Sequence, residues 1–213
     1  MTEAGTRRYD ASGRREAARA SRQKVIAAAT ALFLERGWAG TSMRDVARRA
    51  GVSVETVYGS GGTKVELLRI AMDIAVVGDD EPVPLSERPE WRAISTGATP
   101  RERAEAVGGL LITMHRRTAP LHRALQHAAV GDSTLAELLD RDFRDIREQN
   151  RQGVRSVAGR EPTDAELDLV QAATSNETYL MLTEQRGLSD DDYREFVATA
   201  MTRLLRLDEQ EDR

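Results

Sequence analysis

The stretch at residues 41–58, TSMRDVARRAGVSVETVY, constrains the fold of this chain most strongly. Ser42 and Asp45 have the spacing of a capping box, in which each side chain bonds the backbone of the other at the start of a helix. Gly51 can take the left-handed conformation that ends a helix in a sharp turn, and Ser53 can cap a second helix. Two short helices joined by one tight turn predict a helix-turn-helix, a motif whose second helix enters the major groove of DNA.

Charge is distributed unevenly along the sequence. The net charge of −4 alone argues against a nucleic-acid-binding protein. Residues 1–64, however, contain 12 Lys and Arg against 6 Asp and Glu, a net charge of +6, whereas residues 65–213 contain 19 against 29, a net charge of −10. A basic first third attached to an acidic remainder is typical of a local contact surface for phosphate, and chance clustering of surface charge is the alternative.

Several classes of protein are excluded by composition. The chain has no cysteine, which excludes disulfides, zinc sites with thiolate ligands and thiol redox sensing, and suits a cytoplasmic location. It has neither a signal peptide nor a run of about 18 apolar residues, so we expect no membrane partner. Aromatic residues make up only 4% of the chain, which argues against the stacking platforms that bind RNA or single strands.

Catalytic and metal-binding patterns are missing from the sequence. The histidines are His115, His122 and His127. Pro120 separates the first two, and the last two are five residues apart, a spacing that does not share a helix face. No glycine-rich phosphate loop follows a predicted strand. We therefore expect no enzymatic activity, no catalytic residue, no metal and no cofactor.

Helical periodicity without an alternating strand pattern predicts an all-α fold in two domains. Residues 21–64 are predicted to form a DNA-binding domain of three helices that contains the helix-turn-helix, and residues 65–78 a connector helix. Residues 79–213 are predicted to form a larger helical domain for ligand binding and dimerisation. Residues 1–20 are rich in arginine and poor in apolar side chains, and are predicted to form a flexible basic arm along DNA; a solvated tail is the alternative.

Within the larger domain, Pro120 is predicted to break the helical pattern, whereas residues 163–184 are predicted to form one helix. The last helix, predicted over residues 190–207, has an apolar stripe wider than contact with one neighbour needs, so we expect it to contact a second chain. A helix buried in the core of one chain is the alternative. The predicted dimer-interface residues are Tyr193, Val197, Ala200, Met201 and Leu204.

A cavity for a small molecule is expected inside the larger domain. Side chains that combine apolar bodies with a few polar tips are the usual lining of such a cavity. Plain core or interface positions are the alternative for each of them, and Trp91 is either a lid residue or a surface anchor. The predicted lining residues are Trp91, Met114, Phe143, Asn176, Tyr179 and Thr183.

The residues on both sides of the helix-turn-helix carry a family resemblance. An apolar helix that ends in a Gly-aromatic pair (ALFLERGWAGTSMRDVARRAGVSVETVY), followed by a Lys-led helix (TKVELLRIAMDIA), resembles the N-terminal domain of TetR-family transcriptional regulators. The resemblance implies a bacterial homodimer that binds a palindromic DNA operator, usually as a repressor released by a small-molecule effector. A TetR-like interaction or ligand-sequestering protein that has lost operator binding is the alternative.

The same resemblance assigns DNA contacts to particular residues. Arg44 can read guanine or contact only phosphate, and Glu55 can accept from cytosine or only favour the helix N-terminus. Tyr58 corresponds to a tyrosine that usually donates to phosphate. The residues assigned to DNA are Thr41, Ser42 and Arg44 on the first helix of the motif, Ser53, Val54, Glu55, Thr56 and Tyr58 on the recognition helix, and Lys64 at the start of the next helix.

The sequence departs from the family pattern immediately after the recognition tyrosine. A further aromatic or histidine run is common in the family, whereas this chain has Gly59-Ser60-Gly61-Gly62. Three glycines in four residues are expected to end the recognition helix early and loosen its exit. A tolerated variant turn, with glycine amides facing phosphate, is the alternative.

Overall fold

The computed structural model describes residues 11–207, and within this range the fold consists of helices and turns without a strand, which confirms the all-α prediction. The chain divides into two compact units, Met1–Ala71 and Met72–Arg213, and the division falls inside the fourth helix. None of the described helices is long and apolar enough to cross a membrane. The helices are α1 (Ala11–Arg36), α2 (Met43–Ala50), α3 (Val54–Gly61), α4 (Lys64–Val77), α5 (Pro89–Thr96), α6 (Pro100–Ala129), α7 (Ser133–Ala158), α8 (Asp164–Ala173), α9 (Asn176–Leu180) and α10 (Asp190–Leu204), with a 3-10 turn at Leu85–Glu87 and a π turn at Met181–Gln185.

The core of the first unit lies where α1, α2 and α3 meet. Val25, Leu32 and Phe33 of α1 are almost fully buried. Val46 of α2 and Val57 of α3 are buried completely. Burying a side chain of this kind stabilises a fold by roughly 1.5–3 kcal/mol. These five residues therefore fix α2 and α3 against α1.

The start of α1 differs from the sequence-based prediction. α1 begins at Ala11, so the assignment of residues 11–20 to a flexible arm is wrong. Good helix formers, among them Arg15, Glu16 and Ala17, follow Gly13 closely and offset the cost of one glycine. Residues 1–10 of the predicted arm lie outside the described residues.

The second unit is built around α6, which contacts α5, α7, α9 and α10. Ala104 and Leu111 of α6 are buried in the same core as Val154 of α7. A Cβ atom at Gly108 would lie 2.8 Å from the carbonyl oxygen of Arg194, so α6 and α10 approach more closely than a larger residue would allow. The tight α6–α10 contact thus makes α10 part of the core of its own chain.

α6 continues through Pro120, contrary to the predicted break. Proline costs a helix about 3 kcal/mol because it lacks an N–H and its ring crowds the preceding turn. Ala119, Leu121 and Leu125 around it are nevertheless fully buried. Burial of these neighbours outweighs the local cost of the proline. The sequence pattern around Pro120 does not show this burial, because it depends on contacts with other helices.

The single helix predicted over residues 163–184 is instead interrupted. α8 ends at Ala173, and the side chain of Ser175 caps a new helix by accepting from the N–H of Thr178 at 3.1 Å. Thr174 donates its hydroxyl proton to the carbonyl of Val170 at 2.8 Å. Serine and threonine compete with the helix for backbone groups in this way, and here they divide it.

Candidate nucleic-acid interface and ligand cavity

Caps made by neighbouring side chains hold the two helices of the turn. The Ser42 hydroxyl accepts from the N–H of Asp45 at 3.1 Å, and the Asp45 carboxylate accepts from the N–H of Ser42 at 3.2 Å, which completes the predicted capping box. Hydrogen bonds from Ser42 lower the pKa of Asp45. Gly51 has a φ of 68°, and Ser53 accepts from the N–H of Thr56 at 3.2 Å. The start of each helix is therefore defined by its own sequence.

Arg44 is the free cation of α2 within the described residues. Arg48 is paired with Asp45, and Arg49 donates to both carboxylate oxygens of Glu35, at 2.5 and 2.7 Å. Arg44, in contrast, is exposed and has no hydrogen bond or ion pair with another described residue. A guanidinium without an internal partner can make a bidentate contact with guanine or phosphate.

The predicted recognition residues of α3 differ in exposure. Ser53 and Glu55 are exposed, and Val54 and Thr56 are half-buried. Tyr58 is 53% exposed, so its ring and hydroxyl group are accessible to a partner. Together with the exposed Ser42 and Arg44, these residues give a surface to which DNA can bind, and their contacts with DNA stay predictions.

Two of the residues assigned to DNA have internal roles. Thr41 is only 3% exposed, and its hydroxyl donates to the carbonyl of Gly37 at 2.9 Å. The prediction that its side chain contacts DNA is therefore wrong. The Lys64 ammonium lies 3.9 Å from the centre of the Trp38 ring and donates to the Trp38 carbonyl, which ties the start of α4 to the loop after α1.

The glycine-rich exit of the recognition helix is ordered by packing. α3 continues through Gly59 to Gly61, so the prediction that the glycines end the helix early is wrong. A Cβ atom at Gly61 would collide with the side chain of Leu67, so a larger residue at this position requires Leu67 to move. The N–H of Gly62 donates to the Tyr58 carbonyl at 2.9 Å, and Arg22 donates to the carbonyl of Ser60. These contacts fix the end of α3 and remove the reason to expect a loose exit.

The second unit contains a cavity of about 650 Å³ bounded by the end of α4 and by α6, α7, α8 and α9. Met114, Phe143 and Asn176 line it, as three of the six predicted lining residues. Trp91 lines a separate space of about 50 Å³. Tyr179 is buried in the core and Thr183 donates to its carbonyl at 2.8 Å, so both lie outside the large cavity and their assignment to it is wrong.

A buried histidine in the cavity wall bonds two carboxylates. His122 lies 3.2 Å from Asp142 on one ring nitrogen and 3.2 Å from Glu177 on the other. Burial alone would lower the pKa of His122, but the two hydrogen bonds outweigh it and raise that pKa to about 9. The hydrogen bond from His122 lowers the pKa of Glu177 to about 2. At neutral pH the group is therefore an imidazolium held between two carboxylates.

A second histidine on the same face of α6 behaves in the opposite way. His115 is buried, and its Nδ1 lies 3.1 Å from the hydroxyl of Tyr193. Burial lowers the pKa of His115 to about 4, so this ring is neutral at pH 7. Sequence reasoning missed the pair because Pro120 was expected to separate it. The seven-residue spacing, two turns of a helix, was the signal that could have found it.

Two buried amide atoms at the cavity lack protein partners within residues 11–207. They are the Oε1 atom of Gln171 on α8 and the Nδ2 atom of Asn150 on α7. Buried polar atoms of this kind are rare and require an explanation. Thr118 and Asn176, by comparison, satisfy each other through a hydrogen bond of 2.8 Å. Among the described residues, no group of histidine and acidic side chains could hold a metal ion.

The predicted dimer residues on α10 divide into two sets. Tyr193, Val197 and Met201 are buried in the core of their own chain, so they cannot contact a second chain and the prediction is wrong for them. Close packing of α10 on α6 is the physical reason. Ala200 and Leu204 are only half-buried, and their place in an interface stays a prediction.

α6 also holds the C-terminal end of α4. The guanidinium of Arg117 donates to the carbonyl of Ala75 at 2.8 Å and to that of Val76 at 3.1 Å. A cation at a helix C-terminus satisfies free carbonyls and interacts favourably with the helix dipole. Met72 and Val76 of the same helix line the cavity. Met72 and Val76 therefore belong both to the end of α4 and to the wall of the cavity.

The comparisons with known proteins agree with this geometry. The family of bacterial regulatory proteins named tetR matches residues 25–70, which contain α2, α3 and the start of α4. Over these residues, about a fifth of the chain, the sequence is similar to that of TetR-family transcriptional regulators. No curated protein has a significantly similar sequence.

Solved structures extend the likeness of fold to both units. A regulator assigned to the TetR family from Rhodococcus sp. has 18% identity and a TM-score of 0.65, over 88% of this chain and 99% of that one. A transcriptional regulator from Rhodococcus sp. Rha1 has 21% identity and a TM-score of 0.61, over 87% and 96%. A third, from Mesorhizobium loti MAFF303099, has 16% identity and a TM-score of 0.63, over 89% and 96%. At such identities the likeness shows the fold alone.

Proposed function

We propose that this chain is a cytoplasmic repressor that binds a palindromic DNA operator as a homodimer and releases it when a small molecule enters the cavity of the second unit. The observation that carries the proposal is that Arg44 is exposed without an ion pair to a described residue and that Tyr58 is exposed, both on helices with fixed ends. Both side chains are therefore available for contacts with DNA.

Affinity and specificity come from different side chains in this proposal. Tyr58 and the basic residues of the first unit contact phosphates, so binding weakens steeply as salt rises. Arg44 reads guanine through two hydrogen bonds, Glu55 accepts from cytosine N4, and the Thr56 methyl contacts thymine. A dimer must place its two recognition helices roughly 34–36 Å apart to reach successive major grooves.

Ligand release requires that the effector prefer the form that does not bind DNA. Because Met72 and Val76 line the cavity, a bound molecule touches the end of α4 directly. Arg117 holds the last carbonyls of that helix, so a ligand that displaces α6 also displaces the end of α4. α4 continues without interruption to Lys64, and in this proposal it carries the displacement to the DNA-binding unit.

The experiment is a selection of bound sequences from random duplex DNA with the full chain, followed by gel shifts on the selected site. Arg44→Ala is expected to weaken binding about 5- to 150-fold, from roughly 1–3 kcal/mol per bidentate base contact, and to relax the sequence preference at one position. Tyr58→Phe is expected to weaken all sequences alike by a factor of several, because it removes one phosphate hydrogen bond worth about 1 kcal/mol.

Arg92→Ala is the matched control, because Arg92 is an exposed arginine on α5 in the other unit. It should leave DNA binding unchanged. A protein that is monomeric at micromolar concentration and selects no sequence at low salt would contradict the proposal. That result would favour the alternative of a ligand-sequestering protein. The ordered end of α3 removes one argument for this alternative, so it now rests on the net charge of −4.

A further inference from the structure

The 650 Å³ cavity has a chemical character that defines its ligand. We infer that it binds an amphipathic organic cation whose protonated amine donates a hydrogen bond to the Oε1 atom of Gln171. The inference rests on the proposed ligand-responsive function and adds the class of effector. Three properties of the cavity wall carry it: the sign of its charge, its unpaired amide groups and its apolar surface.

The charged side chains of the wall are almost all acidic. Among the described residues that line the cavity there are five carboxylates and neither lysine nor arginine. The imidazolium of His122 is already bonded on both sides by Asp142 and Glu177. Asp168 is paired with Arg147, whereas Asp140 and Asp145 have no ion pair with any described residue. Such a wall attracts a cation and repels an anion.

Gln171 independently requires a hydrogen-bond donor. The residue is only 8% exposed, lines the cavity, and its Oε1 atom has no partner within the described chain. A carboxylate group accepts hydrogen bonds and so cannot serve as the donor to this oxygen atom. A protonated amine brings both the N–H donor and the positive charge. The unpaired Nδ2 of Asn150 can at the same time donate to an oxygen atom of the ligand.

The remaining wall is suited to an apolar body. Leu111, Met114, Leu139 and Ile146 line the cavity together with Phe143. Phe143 is 58% exposed, which leaves its ring free to contact a ligand or its charge. The volume lies within the range of about 300–1,000 Å³ that drug-sized ligands occupy. Carboxylates and phosphates are disfavoured, because the described residues that line the cavity include no free cation that could pair with them.

Four probes with one apolar body test the inference by calorimetric titration of the full chain. They are 4-phenylbutylamine, its N,N,N-trimethyl analogue, 4-phenylbutanol and 4-phenylbutyrate. We expect the amine to bind at least about tenfold more tightly than the trimethyl analogue, which has the charge but no N–H donor. The alcohol should bind more weakly than the amine, and the carboxylate should bind least.

Two variants separate the hydrogen bond from the charge. Gln171→Met should weaken the amine about tenfold and leave the trimethyl analogue unchanged, provided that thermal unfolding shows a folded protein. Asp145→Asn should weaken both cations by the same factor and reduce the salt dependence of their binding. Glu137→Gln is the matched control, because Glu137 is an exposed acid of the same helix that does not line the cavity.

The inference is overturned if the carboxylate binds as tightly as the amine, if Gln171→Met and Asp145→Asn leave the amine unaffected, or if no amine binding is detected up to millimolar concentration. The DNA selection separates this failure from that of the proposed function. A protein that selects DNA but ignores the amine contradicts only the ligand class. One that binds the amine but selects no DNA contradicts repression and retains the ligand class.

Discussion

The two units use polar side chains differently. In the helix-turn-helix, Ser42, Asp45 and Ser53 satisfy backbone groups within three residues of themselves. In the cavity, His122 bonds carboxylates from two other helices, while Gln171 keeps an unpaired oxygen atom. Local caps define the surface of α2 and α3 without a partner. Long-range pairs and unpaired groups instead make a site whose stability and occupancy depend on protons and ligands.

The largest expected effect lies in the cavity, in the pH dependence of stability. The pKa of His122 is about 9 in the folded protein against an ordinary value near 6.5, so its stabilisation is complete below pH 6.5 and is lost as pH rises through 9. A shift of this size corresponds to about 3 kcal/mol of unfolding free energy. Urea unfolding at pH 6, 8 and 10 measures it.

His122→Gln is the variant that tests this assignment, because glutamine can still donate to one carboxylate but does not titrate. Its stability should be lower than that of the wild type at pH 6 and should approach it by pH 10. His115 has the opposite effect at acid pH. Because its pKa is about 4 in the folded protein, the free energy of unfolding should fall as the pH drops from 6.5 toward 4. Parallel pH profiles for the wild type and His122→Gln would contradict the assignment.

An intermediate effect is expected at the end of the recognition helix. Gly61→Ala places a methyl group on the side chain of Leu67 and should lower the free energy of unfolding by about 1–3 kcal/mol through overpacking. Gly59→Ala meets no atom within 4 Å and should raise it by about 0.5–1 kcal/mol, because alanine favours the helix. Denaturant titration of both variants measures the difference. Equal effects of the same sign would show that Leu67 does not restrict residue 61.

The smallest expected effects come from replacing one polar side chain by an apolar one in each unit. The two replacements should change stability in opposite directions. Ser42→Ala removes a paired cap and should cost about 1 kcal/mol. Gln171→Met replaces a buried amide whose oxygen atom is unpaired with an apolar side chain, and should be neutral or stabilise by up to about 1 kcal/mol. Thermal unfolding of the two variants without ligand measures both. A loss at Gln171 as large as that at Ser42 would mean that the cavity amide has a protein partner.

What the sequence could predict follows from the range of the interactions involved. The capping box at Ser42, the turn at Gly51 and the cap at Ser53 are local, so the turn between α2 and α3 was predicted residue by residue. The continuation of α6 through Pro120 depends on burial against other helices, which no local pattern contains. The same limit hid the His115–His122 pair.

The exposure of individual side chains was predicted least well, because an apolar stripe does not indicate whether its own chain or a second chain covers it. The stripe of α10 was expected to face a second chain, yet Tyr193 and Val197 face their own core. Thr41 is a similar case, since a family position does not reveal that its hydroxyl is bonded to Gly37. Three of the predicted lining residues do meet in one cavity, because α6, α7 and α9 bring them together from distant parts of the sequence.

The two tryptophans of the chain lie in different units, and this gives each unit its own fluorescent reporter. Trp38 is stacked on Phe33 at 5.8 Å and lies below the Lys64 ammonium, whereas Trp91 packs against the core around α6. A protein with Trp91→Phe emits from the DNA-binding unit alone, and one with Trp38→Phe from the cavity unit alone. The emission spectrum of the first variant can therefore report on DNA binding, and that of the second variant on amine binding.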